Sequence, residues 1–226
     1  MAARARRITA EVFQVGGGSL SADADAAVYL VAFAGEAALI DSGTGRATGK
    51  ILRNTAAAGI DPGQITCLLL THCHFDHTGG AKMLRDTLAI PVVCHALDAP
   101  YVEAGDNVVT AADWYAAKLD PCPVDRKLTG ASEAIRLGGR TITAVHIPGH
   151  SPGSVAYVTT SEGLSVVFAQ DVHGPLHRSL LSNAGDYQAS LKRLIALEAD
   201  ILCEGHYGVI TGKAAVEAFI RQFVDA

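Results

Sequence analysis

Three histidines and one aspartate within six residues constrain this chain more than any other feature of its sequence. The stretch Thr71–Gly80 reads THCHFDHTGG and follows the apolar run Ile65–Leu70. It contains His72, His74, Asp76 and His77. Alternate residues of an extended segment point to one side, so the first two histidines can reach one metal ion together. The aspartate and third histidine follow where the chain must turn, and can face a second metal.

The side-chain chemistry of this stretch indicates a metal site. Imidazole and carboxylate groups are ligands suited to zinc, iron or manganese. The alternative is a polar loop in which three histidines occur by chance. We disfavour it because core histidines rarely occur as a triplet with an aspartate between them.

Composition and charge limit the class of protein. The 226 residues are 49% hydrophobic and 18% charged, which is enough for one globular domain spanning residues 1–226. The net charge of −5 gives no overall basic field for a phosphate backbone, so we expect no nucleic-acid partner. No apolar run approaches the ~18 residues of a membrane span, and the N-terminus lacks the apolar stretch of a secretory signal. Five scattered cysteines without a CxxC motif are typical of reduced thiols, and together these features predict a cytoplasmic protein without a membrane partner.

The pattern of elements predicts strands followed by helices in each half of the chain, which favours two sheets between helices. Ile65–Leu70 is predicted to be a buried strand that leads into the histidine cluster. Thr78 is predicted to cap a helix over Gly79–Leu88, and Cys122–Leu128 to be a proline-bearing connector.

Four further polar residues follow predicted strands, where ligands are expected. They are Asp41, His150, Asp171 and His206. Singly each is weak evidence, because a lone histidine after a strand is more often a surface or core residue. Together they supply ligands that the first cluster lacks, since two metals of four or five ligands need six or seven protein groups. Of the other candidates, His95 ends a strand on the expected metal side, whereas His146 and Cys73 are predicted to be packing residues.

The ordered motifs THCHFDH, PGH, QD and GH resemble the metallo-β-lactamase-fold hydrolase superfamily, and within it the glyoxalase II-like branch. The resemblance covers essentially the whole chain. It implies an αββα four-layer sandwich of the α/β class (α+β), with two divalent metal ions between the sheet edges, zinc being favoured over iron or manganese. The first metal would be bound by His72, His74 and His150, and the second by Asp76, His77 and His206. Asp171 would bridge the two, and Asp41 would support the ligands from outside.

Departures from the family patterns narrow the activity. One class of secreted β-lactamases carries a cysteine ligand at the position of Asp171, and the class with an HxHxDH motif lacks the bridging aspartate. Quorum-signal lactonases carry a tyrosine where this chain has Gly174. Nuclease and electron-transferring relatives carry additional domains. Glyoxalase II enzymes add a C-terminal helical segment that holds glutathione, and this chain ends at residue 226, 20 residues after His206.

The resemblance therefore implies a dinuclear metal-dependent hydrolase, similar to hydroxyacylglutathione hydrolase, that uses a metal-bridging hydroxide on a thioester, ester or lactone. Asp76 and His173 are predicted as catalytic residues. His173 and His177 could position substrate or donate a proton, or could belong to a surface loop. A small-molecule substrate is expected; its pocket walls are predicted in Leu97–Leu128 and Gly174–Gly185. The oligomeric state stays open, a homodimer being compatible with the sequence.

Two other functions remain as alternatives. Persulfide dioxygenases share the scaffold and hold one iron with equivalents of His72, His150 and Asp171, and they retain the other histidines. The second alternative is a binding protein without catalytic activity, and the intact set of ligands argues against it.

Overall fold

The computed structural model describes residues 4–169 and 171–225, and these residues contain two β-sheets. The first sheet contains β1 (Arg6–Arg7), β2 (Val12–Gly16), β3 (Val28–Phe33), β4 (Glu36–Ile40), β5 (Ile65–Leu69), β6 (Val92–His95) and β7 (Arg126–Leu128), side by side in chain order. Strands β1 to β4 are antiparallel, and β4 to β7 are parallel. Parallel strands end at the same edge of a sheet, so the segments that follow β4, β5 and β6 meet there.

The second sheet contains β8 (Ser132–Leu137), β9 (Arg140–His146), β10 (Val155–Ser161), β11 (Leu164–Ala169), β12 (Ile201–Cys203) and β13 (Val209–Thr211). Its neighbours are antiparallel except for β11 and β12, which are parallel. The helices are α1 (Thr48–Ala57), α2 (Phe75–Thr78), α3 (Ala81–Leu88), α4 (Ala99–Ala104), α5 (Ala184–Ala196) and α6 (Lys213–Arg221). Helix α5 connects the two parallel strands, as a parallel connection requires.

Three apolar clusters show how the layers are stacked. Between the sheets, Tyr29 of β3 packs against Phe168 of β11, with ring centroids 5.5 Å apart. Alternate residues of β3 point outward, and Leu30 packs in a second cluster with Ile51 of α1. On the far side, a third cluster joins the second sheet to α5 and α6, including Leu191. The order is helix, sheet, sheet, helix, which confirms the predicted αββα four-layer sandwich.

Helix α3 begins later than predicted, and Thr78 is not its cap. Thr78 ends α2 and its hydroxyl donates hydrogen bonds to the carbonyl oxygens of Cys73 and His74, at 3.1 and 2.9 Å. The N-cap of α3 is Gly80. A Cβ atom there would lie 2.4 Å from the carbonyl oxygen of Ser42, so glycine permits this close contact.

The predicted connector Cys122–Leu128 contains a strand that the sequence interpretation missed. Its last three residues form β7, which pairs with β6 through Val93 opposite Arg126. The strand is short, begins with two exposed charged side chains and follows Pro121 and Pro123, so it lacks the apolar alternation by which strands are recognised. Within the described ranges, we find no helix with the length and apolar character that crossing a membrane requires.

Two tyrosine hydroxyl groups join the sheets at the edge where the candidate ligands lie. Tyr157 of β10 is fully buried and donates a hydrogen bond of 2.8 Å to the carbonyl oxygen of Leu70, directly after β5. Tyr29 donates one of 2.7 Å to the carbonyl oxygen of Glu204, directly after β12. Buried tyrosine hydroxyls are usually paired in this way, and these two hold the two sheets in register.

Removing the Tyr157 hydroxyl should destabilise the protein. We expect Tyr157→Phe to lower the free energy of unfolding by about 1–3 kcal/mol, because the buried carbonyl of Leu70 loses its donor. Denaturant unfolding measures the effect. Tyr207→Phe is the control, since that side chain is 62% exposed, and it should change stability by less than about 0.5 kcal/mol. Equal stability of the two variants would contradict the proposed link between the sheets.

Candidate metal centre

The structure brings all seven predicted metal ligands to one edge of the sandwich. His72 and His74 lie in the loop after β5, and Asp76 and His77 in α2. The other three follow strands of the second sheet: His150 after β9, Asp171 after β11 and His206 after β12. The site therefore depends on the contact between the two sheets.

The first group of ligands surrounds one point. His72, His74, His150 and Asp171 each offer one ligand atom, and these atoms all lie within 4.8 Å of one another. The imidazole ring centroids of His72 and His74 are 4.4 Å apart, and those of His74 and His150 are 4.5 Å apart. Three nitrogens and one oxygen are a donor set that suits a tetrahedral zinc ion.

The second group lies on the other side of Asp171. Asp76, His77 and His206 also offer ligand atoms within 4.8 Å of one another. One carboxylate oxygen of Asp171, Oδ2, is 3.4 Å from Nε2 of His150. The other, Oδ1, is 3.1 Å from Nε2 of His77 and 3.3 Å from Nε2 of His206. The two oxygens thus face different groups, which is the arrangement that a bridging ligand requires.

Unpaired buried atoms show that this donor set fits metal ions. The Nε2 atoms of His72, His74, His77 and His150 and the Oδ1 atom of Asp171 are buried and make no hydrogen bond among the described residues. Buried polar atoms are rarely left unpaired, because each costs about 1–3 kcal/mol. Bound cations would satisfy these atoms. The role of the seven residues as ligands stays a prediction.

Hydrogen bonds at the opposite ring nitrogens orient the imidazoles. Nδ1 of His77 is 2.7 Å from Oδ2 of Asp41, and Nδ1 of His150 is 3.0 Å from the carbonyl oxygen of Pro175. Both partners are acceptors, so both Nδ1 atoms carry hydrogen, and the Nε2 atoms face the site. This is the arrangement that orients metal-binding histidines.

Electrostatics divide the imidazoles into two kinds. Burial and neighbouring imidazoles hold the pKa of His72 and of His74 well below the usual range, so these rings are neutral. Burial also acts to lower the pKa of His77, but the carboxylates of Asp171, Asp76 and Asp41 outweigh it and the pKa lies well above its usual range. At His206, burial is likewise outweighed by the carboxylates of Asp171 and Asp76, 3.3 and 3.2 Å from its Nε2, which raise the pKa to about 10. In the metal-free protein, protons at these two rings balance the carboxylates, and metal cations would take their place.

Asp41 has the contacts expected of a supporting residue. Its Oδ1 accepts the backbone N–H of Thr71 at 2.8 Å, and its Oδ2 accepts the Thr71 hydroxyl at 2.8 Å beside the bond from His77. Its backbone has φ of 62°, a left-handed conformation that aspartate tolerates better than most residues. One carboxylate thus fixes both the start of the histidine loop and the orientation of His77.

Asp98 is a second buried carboxylate at the site, and the sequence interpretation missed it. It accepts hydrogen bonds from the backbone N–H of Cys73 at 2.9 Å and from the Ser151 hydroxyl and the Gly153 N–H, both at 2.6 Å. Burial raises the pKa of its carboxyl group, although these donors oppose the rise. Asp98 therefore ties the loop of His72 and His74 to the loop of His150. In the sequence, Asp98 is a single acidic residue outside any recognisable motif, so its role could not be predicted.

Glu204, a third buried carboxylate, was also missed. Its Oε1 accepts the N–H of Val172 at 3.0 Å and lies 2.9 Å from Nδ1 of His173. Its Oε2 accepts the N–H groups of His206 and Tyr207 at 2.6 and 2.8 Å. Glu204 thus links the loop after β11 to the loop after β12. Glu204 lies two residues before His206 in the sequence, but a single glutamate there does not by itself indicate a supporting role.

The remaining candidate residues lie in different environments. His173 lines the cavity at the ligand groups, whereas His177 is exposed and hydrogen-bonded to Ser179. His95 is buried but lies outside the ligand groups, and it stacks on His146 with ring centroids 3.9 Å apart. Burial, with His146 beside it, lowers the pKa of His95 to about 4. Cys73 is fully buried, as a packing residue should be.

Metal binding should release protons. At pH 7 the raised pKa values of His77 and His206 keep both rings protonated in the metal-free protein, and a metal binds only the neutral ring. We therefore expect roughly two protons to leave when the site fills. Calorimetric titration of Zn²⁺ in buffers of different ionisation enthalpy measures this number. The variant His206→Ala should release about one proton fewer. In the unchanged protein, the proton from His206 should no longer be released above about pH 10. Binding enthalpies that do not depend on the buffer would contradict the assignment.

The Asp41 carboxylate should matter for metal affinity rather than for folding alone. We expect Asp41→Asn to weaken metal affinity by about 10–100-fold, because an amide supports the His77 imidazole less well than a carboxylate does. Competition with a chromogenic chelator measures the affinity. Asp86→Asn, at an exposed aspartate of α3, is the matched control. Equal affinities for the two variants would contradict the supporting role of Asp41.

Comparison with known proteins agrees with this geometry. An acyl-coenzyme A thioesterase of Gallus gallus, MBLAC2, is 31% identical over 62% of this chain and 55% of its own length. A hydroxyacylglutathione hydrolase of Anaeromyxobacter dehalogenans is 35% identical over 56% of this chain and 39% of its own length. The matched part of the chain thus spans about half the length of these relatives, or less.

Solved structures and a family model give the wider relationship. A metallo-beta-lactamase of Cronobacter sakazakii superposes with a TM-score of 0.82 at 23% identity, covering 98% of this chain and 91% of that one, which shows the shared fold. A family model described as the metallo-beta-lactamase superfamily matches residues 23–206. This range includes all seven candidate ligands, and the predicted resemblance is confirmed: the chain belongs to the metallo-beta-lactamase superfamily.

Proposed function

We propose that this chain is a dinuclear metal-dependent hydrolase of thioesters, with esters and lactones as chemically related substrates. The observation that carries the proposal is the pair of ligand groups that share Asp171 at the floor of a cavity of about 220 Å³. Two divalent metal ions bound there would polarise a substrate carbonyl and supply a hydroxide nucleophile near neutral pH. The nitrogen and oxygen donors favour zinc, with iron or manganese as alternatives.

The second ligand group favours two metals over one. A mononuclear iron site would need only His72, His150 and Asp171. In this chain His77 and His206 lie 3.1 and 3.3 Å from the second oxygen of Asp171, and the buried Asp76 completes a ligand group with them. Because the dioxygenases retain these histidines, the support for a second metal comes from the Asp76 carboxylate beside them, and metal content decides between the two functions.

The contacts of His173 support its assignment as a catalytic residue. Its Nδ1 donates to Glu204, whose carboxylate accepts three backbone N–H groups and cannot turn away. Nε2 is therefore the ring nitrogen left for the substrate, and the His173 side chain lines the cavity. We assign to Nε2 the task of accepting the proton that is released when a water molecule becomes the hydroxide nucleophile and of passing it to the thiolate leaving group, with Glu204 stabilising the charged ring between the two transfers.

Asp76 is the other residue to which we assign a catalytic role, because it belongs to the second ligand group and also lines the cavity. Its Oδ2 lies 3.2 Å from Nε2 of His206. Hydrogen bonds and charges from the two histidines lower its pKa although burial and Asp171 oppose this, so it stays ionised. A permanent carboxylate there can hold a metal and orient a water molecule toward the carbonyl.

The relatives favour thioesters among the three substrate types. One is an acyl-coenzyme A thioesterase, and hydroxyacylglutathione is itself a thioester. A thiolate is a good leaving group that needs no strong acid to assist it. The tyrosine of quorum-signal lactonases is replaced by Gly174, which removes the specific argument for lactones.

Metal content and turnover test the dinuclear site. We expect about two zinc, manganese or iron ions per chain in the purified protein, and thioester hydrolysis that Asp76→Ala lowers at least about 100-fold. Elemental analysis and a thiol-release assay measure these quantities, with Asp86→Asn as the control. A single iron per chain, oxygen consumption with a persulfide and no hydrolysis would establish the dioxygenase alternative.

Exchanging His173 should separate its role from metal binding. Because His173 is not among the seven candidate ligands, we expect His173→Ala to keep the metal content and to lower kcat about 100-fold or more. His177→Ala is the matched control on the same loop, and should leave kcat nearly unchanged. Equal kcat values for the two variants, at equal metal content, would remove His173 from the mechanism.

A further inference from the structure

The cavity at the metal centre has one polar side and one apolar side. The polar side consists of candidate ligands and His173. The apolar side, here called the acyl wall, consists of Ala111, Trp114, Tyr115, Pro175 and Leu180. These five residues come from the two segments in which the sequence predicted pocket walls.

The acyl wall is anchored to the core at some points and open to solvent at another. Leu180 is buried, and the ring of Tyr115 packs on Phe75 with centroids 5.5 Å apart. Burial raises the pKa of Tyr115, and the nearby carboxylate of Asp76 adds to this, so its hydroxyl is neutral. Trp114, by contrast, is 54% exposed at the rim of the cavity. A half-exposed tryptophan beside a reaction centre is apolar surface that a bound molecule can cover.

A second cavity of different character lies on the other side of His206. It has a volume of about 450 Å³, and His206 lines both cavities. Its walls carry polar side chains, including Arg6, Gln14, Ser19 and Asp23, and the backbone of Gly17 and Gly18. The two cavities therefore share one candidate ligand, His206, and differ in that one has an apolar wall and the other polar walls.

We propose that the acyl wall binds the apolar acyl chain of the substrate, while the polar cavity beyond His206 receives a thiol leaving group that carries amide groups. The proposal rests on the proposed thioester hydrolysis and adds the substrate class and its orientation. The reverse orientation would bury amide groups against Trp114 and Leu180 without partners, which costs about 1–3 kcal/mol for each group.

The volume limits the length of the chain. If each heavy atom takes up roughly the ~30 Å³ of a water molecule, the cavity of about 220 Å³ holds about seven heavy atoms, which are the six carbons and the carbonyl oxygen of a hexanoyl group. Each methylene group that the wall covers should contribute about fourfold to binding. We therefore expect affinity to rise from acetyl through butanoyl to hexanoyl, and to level off for octanoyl and dodecanoyl.

Binding can be measured without turnover because Trp114 is the only tryptophan in the sequence. Non-hydrolysable alkyl thioethers of N-acetylcysteamine are the probes, and the change in tryptophan emission of the metal-loaded protein gives the dissociation constant. We expect the emission to respond and the octyl probe to bind more tightly than the ethyl probe, by about fourfold per methylene group covered. Dissociation constants that do not change with chain length would overturn the acyl wall, whether or not the protein hydrolyses thioesters.

Two variants separate the wall from general effects of mutation. In Trp114→Ala, with dissociation constants from calorimetry, the preference for octyl over ethyl should fall by about tenfold. Met83→Ala is the matched control, because Met83 is an equally exposed apolar residue at 53% and lies on α3, outside the cavity. The same preference should appear in kcat/KM for the acyl-N-acetylcysteamine thioesters. Binding that depends on chain length, without hydrolysis, would refute the proposed thioesterase function but support the apolar subsite. Hydrolysis that does not depend on chain length would support the thioesterase function but refute the apolar subsite.

Discussion

The arrangement of the ligand loops depends on one constraint, which is that they hold buried polar atoms together without hydrogen-bond partners. Four imidazole nitrogens and one carboxylate oxygen face one another between the sheets without hydrogen bonds. Isolated groups of this kind cost about 1–3 kcal/mol each, so the folded chain alone holds the cluster at a considerable loss of stability. Metal cations would remove that loss. Because the ligands come from both sheets, stable packing of the sandwich and formation of the site are one process, and metal binding should contribute to folding.

Three buried carboxylates hold the ligand loops in place, and each acts on a different pair of segments. Asp41 joins the start of the histidine loop to His77, within the first sheet. Asp98 joins that loop to the loop of His150, across the two sheets. Glu204 joins the loops of Asp171 and His206, within the second sheet. Together they fix the loops that carry the seven candidate ligands, and the rings need little reorganisation when they bind a metal.

The sequence carried the ligand cluster and the layer order, but not these supports. His72 and His74 could be paired from strand alternation, whereas His150 was assigned to the same metal only through the family resemblance. Asp98 has no neighbour along the chain that hints at chemistry, and its partners lie 25 to 55 residues away. The predicted cap at Thr78 was wrong because a local propensity lost to a tertiary contact, the close approach of Gly80 to Ser42. Strand β7 was missed because its partner strand, rather than its own composition, defines it.

The sequence located the two segments of the proposed acyl wall, but not which of their side chains line the cavity. The ligands lie on loops fixed by buried carboxylates, so their chemistry can persist at the low identities found among the relatives. The acyl wall is less firmly fixed by burial than the candidate ligands, because Trp114 is half exposed. The wall comes from the two segments between α4 and β7 and between β11 and α5. Substitution of the Trp114 or Leu180 side chain leaves the hydrogen bonds of the three carboxylates in place, whereas Pro175 is tied to the ligand network because its carbonyl oxygen orients the His150 ring. If the proposed function holds, a fixed reaction centre beside an exchangeable wall would let one fold retain its hydrolytic chemistry while the acyl group that it accepts changes.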